Sequence, residues 1–204
     1  MYIDLDDLSP SQTYHQMIQT LVPRPIAWVL SENRDGSLNL APFSYFTAVC
    51  SEPPLLMLSI GRRPDGSPKD TLENIEHRSH FVVHIAHSGL LEPLNASAAS
   101  LPAGASEVEQ LELPTASFDG FALPRLAQCR VAYACERYRI QEIGEQQQAL
   151  VFGRIRSLYI DDEVVQRDEQ GRLKVDADRL DPLGRLGANE YLCRGRVARI
   201  ERPA

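Results

Sequence analysis

The apolar residues of this chain fall in short runs rich in β-branched and aromatic side chains, the pattern typical of buried β-strands. Strands are predicted over residues 25–30, 37–49, 55–60, 81–86, 128–140, 149–161 and 191–201. Pro42 interrupts the second of these runs. Because proline removes a donor from the strand ladder, it predicts an edge strand, a bulge or a loop that enters a site.

Helical signals are shorter and lie between the strands. After a loop rich in glycine and proline at 61–68, residues 69–75 predict a helix capped by Ser67 or Asp70. Residues 88–116 predict short helices broken at three prolines, and 163–181 predict a solvated excursion. Strands of uneven length with helical insertions and no βαβ rhythm favour an antiparallel barrel with attached helices over a doubly wound sheet.

Length and charge narrow the function classes. The chain has 204 residues, which favours one domain, and 21 basic against 28 acidic residues give a net charge of −7. That balance argues against nonspecific binding to nucleic acid or to an anionic membrane. The acidic start of the chain and the lack of a long apolar run predict a cytoplasmic protein without a membrane segment. The four cysteines form no CxxC pair and are expected to be free, mostly buried thiols.

Four histidines between residues 77 and 87 raise the question of a metal site. The run 81–86 is a predicted strand, and on a strand His80 and His84 would be about 13 Å apart at their Cα atoms. No HExxH, GxSxG, GxGxxG or Walker pattern is present. We therefore expect surface or hydrogen-bonded core histidines, with no metal.

Three segments carry candidate chemistry: 24–29, 39–46 and 59–71. The first places an arginine and the only tryptophan beside an apolar strand, and the second interleaves small polar residues with aromatics around Pro42. The third combines hydroxyls, arginines and Lys69, one of only two lysines, at a helix start suited to a phosphate. Any one segment alone is more simply interpreted as a barrel edge or a solvated helix start.

Together these segments resemble the flavin reductase-like, FMN-binding split-barrel family, in the branch that includes flavoredoxin and the reductase component of nitrilotriacetate monooxygenase. The resemblance also uses Pro53-Pro54, Asn74 and 185–187 with Tyr191, and it covers most of residues 15–200 in the expected order. One departure is Ala188, where a second glycine is expected after Gly187.

The resemblance implies a mainly β, antiparallel, Greek-key-like split barrel as one domain over 1–204, with its core at about 15–200. It also implies a homodimer that holds FMN noncovalently at its interface. The implied cofactor-binding residues fall into four groups. Asn39, Ala41, Pro42, Phe43 and Ser44 would line the isoalloxazine edge; Arg24 and Trp28 would lie near the ring or ribityl chain; Ser59, Gly61, Arg62, Lys69 and Thr71 would surround the phosphate, with Asp70 shaping the loop; Gly187 and Tyr191 would approach the flavin late in the chain, from the other subunit.

The function implied is an NAD(P)H-dependent flavin reductase, in which hydride passes from nicotinamide to flavin and no residue need act as an acid–base catalyst. A flavoredoxin-like FMN electron carrier is the alternative, and a relative that has lost its flavin is a third hypothesis. A monooxygenase or other electron acceptor would be the partner. The choice between NADH and NADPH stays open at this point.

Overall fold

A seven-stranded antiparallel sheet dominates the fold. The computed structural model describes residues 1–99, 101–102, 104–198 and 200. The strands are β1 Arg24–Pro25, β2 Ala27–Glu32, β3 Leu38–Phe43, β4 Phe46–Ser51, β5 Pro54–Ile60, β6 His80–Ile85, β7 Thr115–Ala116, β8 Arg125–Leu126, β9 Val131–Ile143, β10 Gln148–Ile160, β11 Val165–Arg167, β12 Leu173–Val175, β13 Gly184–Arg185 and β14 Tyr191–Leu192. The helices are α1 Pro10–Thr20, α2 Asp70–Arg78, α3 Leu91–Ala96, α4 Glu107–Gln110 and α5 Ala177–Leu180, with 3₁₀ turns at Leu5–Asp7, Ser88–Leu90 and Asp162–Val164.

The connection between the two edge strands closes the sheet at one corner. The strand order is β3-β2-β6-β9-β10-β5-β4, so β3 and β4 lie at opposite edges. Only Ser44 and Tyr45 separate them in the chain, and such a connection reaches at most about 11 Å. The sheet therefore curls until its edges approach each other there. The β4–β5 pairing continues into this connection, where the Ser59 N–H donates to the Tyr45 carbonyl at 2.8 Å. The result is a mainly β split barrel, as the sequence predicted.

The central strands are buried on both faces because the barrel has an inner and an outer core. On β2, Ala27 and Val29 pack into one cluster, with Leu58, Leu72 and other inward residues. The alternate residue Trp28 packs into the second cluster, beneath the segment that follows β6. Burial on both faces explains why these strands appear in the sequence as continuous apolar runs, without the alternation of a half-exposed strand.

Helix α4 protects the free edge of β3. The Glu107 carboxylate accepts a hydrogen bond from the Leu40 N–H at 2.9 Å, and the Ser106 hydroxyl donates to the Leu38 carbonyl at 2.6 Å. Both backbone groups point away from the sheet and would otherwise form an open edge. Burial raises the pKa of Glu107 above its ordinary value. Pro42 lies on the same strand, which fits the expectation of an edge.

Two sequence predictions about strands are wrong in extent. The predicted strand 37–49 is divided at Ser44 and Tyr45 into β3 and β4, which pair with different neighbours. The predicted strand 191–201 ends after Leu192 within the described residues, since the Arg194 N–H donates to the Asp181 carboxylate with φ of +52°. Positions 199 and 201 of that prediction lie outside the described residues.

The helix predictions also need correction. Lys69, and neither Ser67 nor Asp70, occupies the N-cap position of α2, and it makes no side-chain cap hydrogen bond. Pro93 lies inside α3 and does not break it. The excursion at 163–181 contains the β11–β12 hairpin and α5. Helix α1 was not predicted, because none of its residues is buried and it has no apolar core face.

Candidate functional site

A cleft lies between strand β3, the N-terminus of α2 and the segment that follows α3. Its volume is about 180 Å³. It brings together seven of the residues that the sequence singled out: Asn39, Ala41, Pro42, Phe43, Lys69, Asp70 and Thr71. It adds Arg63, which lies in the candidate segment 59–71 but was not assigned to the site, and four residues that the sequence did not single out: Ser97, Ala98, Ala99 and Leu101. The three elements come from distant parts of the chain and meet only through the fold.

The N-terminus of α2 presents unpaired donors to the cleft. Among the described residues, the backbone N–H groups of Asp70 and Thr71 have no hydrogen-bond partner. Such free donors, with the positive end of the helix dipole, favour an anion at this position. The Lys69 ammonium is a donor only, so it cannot accept from these N–H groups and can bind the same anion as they do.

Among the described residues, no carboxylate pairs with Lys69 at this end of the cleft. Arg63 is neutralised by Asp70, whose carboxylate accepts from the guanidinium at 2.6 Å. The Lys69 ammonium lies 5.7 Å from the centre of the Phe43 ring. Although the residue reaches solvent, partial burial and, second, the charge of Arg63 lower the pKa of its ammonium. Arg63, Asp70 and Lys69 together leave one net positive charge for an anionic ligand.

A buried polar network fixes α2 against the barrel beneath the cleft. The Asn39 amide donates to the Ser31 and Thr71 hydroxyls at 3.1 and 2.9 Å. The Asn74 amide donates to Ser31 and to Asn33 at 3.1 and 2.8 Å. Because the Thr71 oxygen already accepts from Asn39, its own hydroxyl proton remains available as a donor.

Apolar residues line the rest of the cleft. Pro42, Phe43, Ala98 and Leu101 contribute this surface, and most of the Phe43 side chain is buried in the inner core. Trp28 is completely buried and does not line the cleft. Its indole N–H instead donates to the Ser97 hydroxyl at 2.8 Å, so it holds the segment after α3 in place.

A second hollow of about 350 Å³ adjoins the cleft and shares Pro42 and Ala98 with it. Two further sequence-predicted residues, Ser44 and Tyr191, line this hollow. The Tyr191 hydroxyl donates to the Asn95 side-chain oxygen at 3.0 Å and so joins β14 to α3.

The remaining predicted residues line neither cavity. Arg24 is buried, and its guanidinium donates to the carbonyls of Ile18, Leu21 and Leu186 at 2.6–2.9 Å. It also donates to the Ser44 hydroxyl at 3.3 Å. Arg24 therefore holds α1 and the late loop against the site, and its contacts to the described residues are structural.

Three residues expected at the phosphate lie apart from the cleft. The Ser59 hydroxyl accepts from the Gln148 amide at 2.9 Å, and a Cβ at Gly61 would meet the same glutamine. The Arg62 guanidinium pairs with the Glu142 carboxylate. Of the five residues predicted to surround the phosphate, the structure therefore brings only Lys69 and Thr71 together at the N-terminus of α2.

The late loop is tightly packed at Gly187. This glycine is buried, and a Cβ there would collide with the Gln19 side chain of α1. Ala188, where a glycine was expected, has φ of +46°, a conformation that glycine adopts with less strain. The chain therefore keeps a glycine-like backbone without the glycine.

The histidine cluster does not form a metal centre among the described residues, where no group of three or more potential ligands is close enough. His84 is a core residue on β6: its Nδ1–H donates to the Trp28 carbonyl at 3.0 Å and its Nε2 accepts from the Leu126 N–H at 2.9 Å. Burial, the largest cause, lowers its pKa to about 4.

The profile described as "Flavin reductase like domain" matches residues 19–174, which include all of β2 to β10 and α2. The chain belongs to the flavin reductase-like family. An uncharacterized protein of Halalkalibacterium halodurans is 34% identical, with 100% of this chain and 97% of the relative covered. Among the described residues of this family member, no helix is both long and apolar enough to cross a bilayer.

Solved structures agree with this assignment. Nitrilotriacetate monooxygenase component B from Bacillus cereus is 29% identical, with a TM-score of 0.89 over 98% of both chains. The 2-nitrobenzoate 2-nitroreductase NbaA of Pseudomonas fluorescens is 29% identical, with a TM-score of 0.88 over 100% of this chain and 96% of that one. Flavoredoxin of Desulfovibrio vulgaris shares the fold at 18% identity, with a TM-score of 0.72 over 88% of this chain and 91% of that one.

Proposed function

We propose that this flavin reductase-like protein is an NAD(P)H-dependent oxidoreductase that binds FMN in the cleft. The observation that carries the proposal is Lys69, a cation without a carboxylate partner among the described residues, at the open N-terminus of α2 and beside β3. We infer that the cleft holds a phosphate next to Lys69 and a planar ring along its apolar residues. Nucleotides in general combine these two groups, and the family assignment favours flavin mononucleotide among them.

At the phosphate end, the residues present match the chemistry of the group. The free N–H groups of Asp70 and Thr71 and the Thr71 hydroxyl are donors, and Lys69 supplies the charge. Hydrogen bonds from such groups to a phosphate are charge-assisted and stronger than neutral ones. The Arg63–Asp70 ion pair keeps the Asp70 carboxylate from repelling the ligand.

For the ring of the ligand, strand β3 contributes an apolar surface. Pro42 leaves no backbone donor of its own, and with Phe43 it forms this surface. The Ala98 side of the cleft excludes water from the ring, held there by the Trp28–Ser97 hydrogen bond. FMN, when bound, supplies the hydride and electron transfer chemistry. The protein binds and orients it, and we assign no acid–base residue.

The proposal includes the homodimer that the sequence predicted. A cleft of about 180 Å³ is smaller than the roughly 300–1,000 Å³ of pockets that enclose drug-sized ligands. One chain alone would leave part of the flavin exposed, and a second copy would cover it. Leu21 and Val49 are exposed apolar residues, just after α1 and on β4, and they support such a contact.

Location and partner complete the proposal. All four cysteines are free, two of them buried, which fits the reducing conditions of the cytoplasm. The similarity to a monooxygenase component supports a monooxygenase or another electron acceptor as the partner. The single domain over residues 1–204 and the flavin contacts of Gly187 and Tyr191 from the other subunit stay predictions of this proposal.

Anaerobic mixing of the FMN-loaded protein with NADH or NADPH tests the activity. We expect the absorbance of the oxidised flavin to bleach rapidly with at least one donor, and the comparison of the two donors gives the specificity. Loaded protein that bleaches negligibly with both donors would refute the reductase and support the flavoredoxin-like carrier. A protein that takes up no FMN would support the relative that has lost its flavin.

A further inference from the structure

We propose that the second hollow is a binding subsite for a planar carboxylate, a benzoate-like second substrate, and that Arg185 binds its carboxylate group. The proposal rests on the proposed function, because the hollow adjoins the cleft assigned to FMN. It concerns a different ligand and a residue that neither the sequence motifs nor the family assignment placed in a site.

The guanidinium of Arg185 is held rigidly but is only partly used. Its central carbon lies 4.4 Å from the centre of the Tyr191 ring, and its Nη2 donates to the Ala188 carbonyl. Its Nη1 is buried and has no hydrogen-bond partner among the described residues. A buried donor without a partner is costly, and a ligand that accepts from Nη1 would remove that cost.

The charge of the hollow selects an anion. Of the ten described residues that line it, only Arg185 is charged, although the chain as a whole carries −7. Among these ten residues there is no carboxylate to neutralise the guanidinium. Arginine presents paired N–H groups that match the two oxygens of a carboxylate.

The walls of the hollow select a flat ligand. Tyr14 and Tyr191 contribute aromatic rings, and Pro42 and Leu94 contribute apolar surface. Its volume of about 350 Å³ lies at the lower end of the range for small-molecule sites. A single aromatic ring with one carboxylate fits this combination of size, shape and charge.

The position of the hollow makes its ligand a reaction partner for a flavin. Pro42 and Ala98 form part of both cavities. A planar ligand bound to Arg185 would therefore lie next to the apolar part of the cleft, at the boundary that the two cavities share. A second substrate whose ring also carries a reducible group would there accept hydride from the reduced flavin and a proton from water, which leaves the flavin oxidised. Benzoate carries no such group and serves only as the binding probe.

Calorimetric titration with two matched probes tests the subsite. Benzoate carries the carboxylate, and benzamide has the same ring and nearly the same shape without the charge. We expect the wild type to bind benzoate roughly ten- to a hundred-fold more tightly than benzamide. Arg185→Gln should remove this preference, and Arg154→Gln, an exposed control on β10, should keep it.

A second variant tests the subsite even if Arg185→Gln fails to fold. Asn189 is exposed and lines the same hollow. Asn189→Asp should weaken the binding of benzoate by a similar factor and leave the affinity for benzamide unchanged, since the new carboxylate competes with benzoate for Arg185. Equal affinities for benzoate and benzamide in the wild type, or no effect of either variant, would overturn the proposal.

Titrations with and without saturating FMN separate this proposal from the function on which it rests. We expect FMN to leave benzoate binding intact, because the two ligands occupy adjoining cavities. Displacement of benzoate by FMN would overturn the subsite and assign the hollow to the flavin. Failure of the protein to bind FMN would refute the proposed function, while the benzoate preference would still be measured on the flavin-free protein.

Discussion

Replacement of Lys69 by alanine should weaken FMN binding without weakening riboflavin binding. Among the described residues of the cleft, Lys69 is the charged one without an ionic partner, since Arg63 is paired with Asp70. It makes no cap hydrogen bond, so alanine at this position should not destabilise α2. The variant therefore removes one positive charge and little else.

The magnitude follows from the position of the ammonium. Two unit charges 4 Å apart interact by about 1 kcal/mol in water and about 4 kcal/mol near a protein surface. Lys69 reaches solvent, so the effect should lie between these limits. A hydrogen bond to a charged group contributes about 1.5–3 kcal/mol. This corresponds to a loss of roughly ten- to a hundred-fold in FMN affinity.

Flavin fluorescence gives the two dissociation constants. Riboflavin lacks the phosphate, so its affinity for Lys69→Ala should stay within about two-fold of the wild type. Lys174 is the only other lysine and lies on β12, which makes Lys174→Ala the matched control. Equal FMN affinity in Lys69→Ala and wild type, or an equal loss for FMN and riboflavin, would refute the phosphate assignment.

Three further predictions concern the scaffold. Burial lowers the pKa of His84 from 6.5 to about 4, so protonation of this residue favours the unfolded chain. The contribution of neutral His84 to the free energy of unfolding is therefore complete above pH 6.5 and falls by up to about 3 kcal/mol towards pH 4. In urea unfolding, the free energy of unfolding should fall more between pH 7 and pH 4.5 for the wild type than for His84→Gln. Glu107→Ala removes the partner of the Leu40 N–H and should lower the free energy of unfolding by about 1–3 kcal/mol in urea titrations, whereas Glu107→Gln keeps an acceptor and should lose less. Gly153→Ala would place a Cβ against the Phe81 ring in the inner core and should cost about 1–3 kcal/mol, which calorimetry would detect as a lower Tm.

Local sequence signals predicted the parts of the fold that depend on neighbouring residues. The apolar runs around Trp28 and Phe81 predicted β2 and β6, because burial on both faces leaves a continuous apolar segment. Pro42 predicted an edge strand, a bulge or a loop that enters a site, and β3 is an edge strand. Helix α1 has no buried residue, yet Ser9 and Gln12 form a capping box with Pro10 at the first turn, a signal that was present in the sequence.

Long-range contacts explain what the sequence did not predict. Arg24 belongs to the most specific motif, but its role depends on the carbonyl of Leu186, 162 residues away. Arg185 was part of the late motif at 185–187, but nothing local indicated its place in a cavity, and the segment after α3 carried no signal; both reach the site only through the fold. At the start of α2, Ser67 and Asp70 were capping candidates by residue type, but Ser67 bonds to Asp65 and Asp70 pairs with Arg63.

Titration of the purified, flavin-free protein with FMN and with riboflavin is the most direct test of the central claim. The account predicts saturation at one FMN per chain, with a change in the flavin absorbance spectrum on binding. Riboflavin should bind at least ten-fold more weakly, because the free donors at the start of α2 and Lys69 act on the phosphate. An absence of FMN binding, or equal affinity for the two flavins, would contradict it.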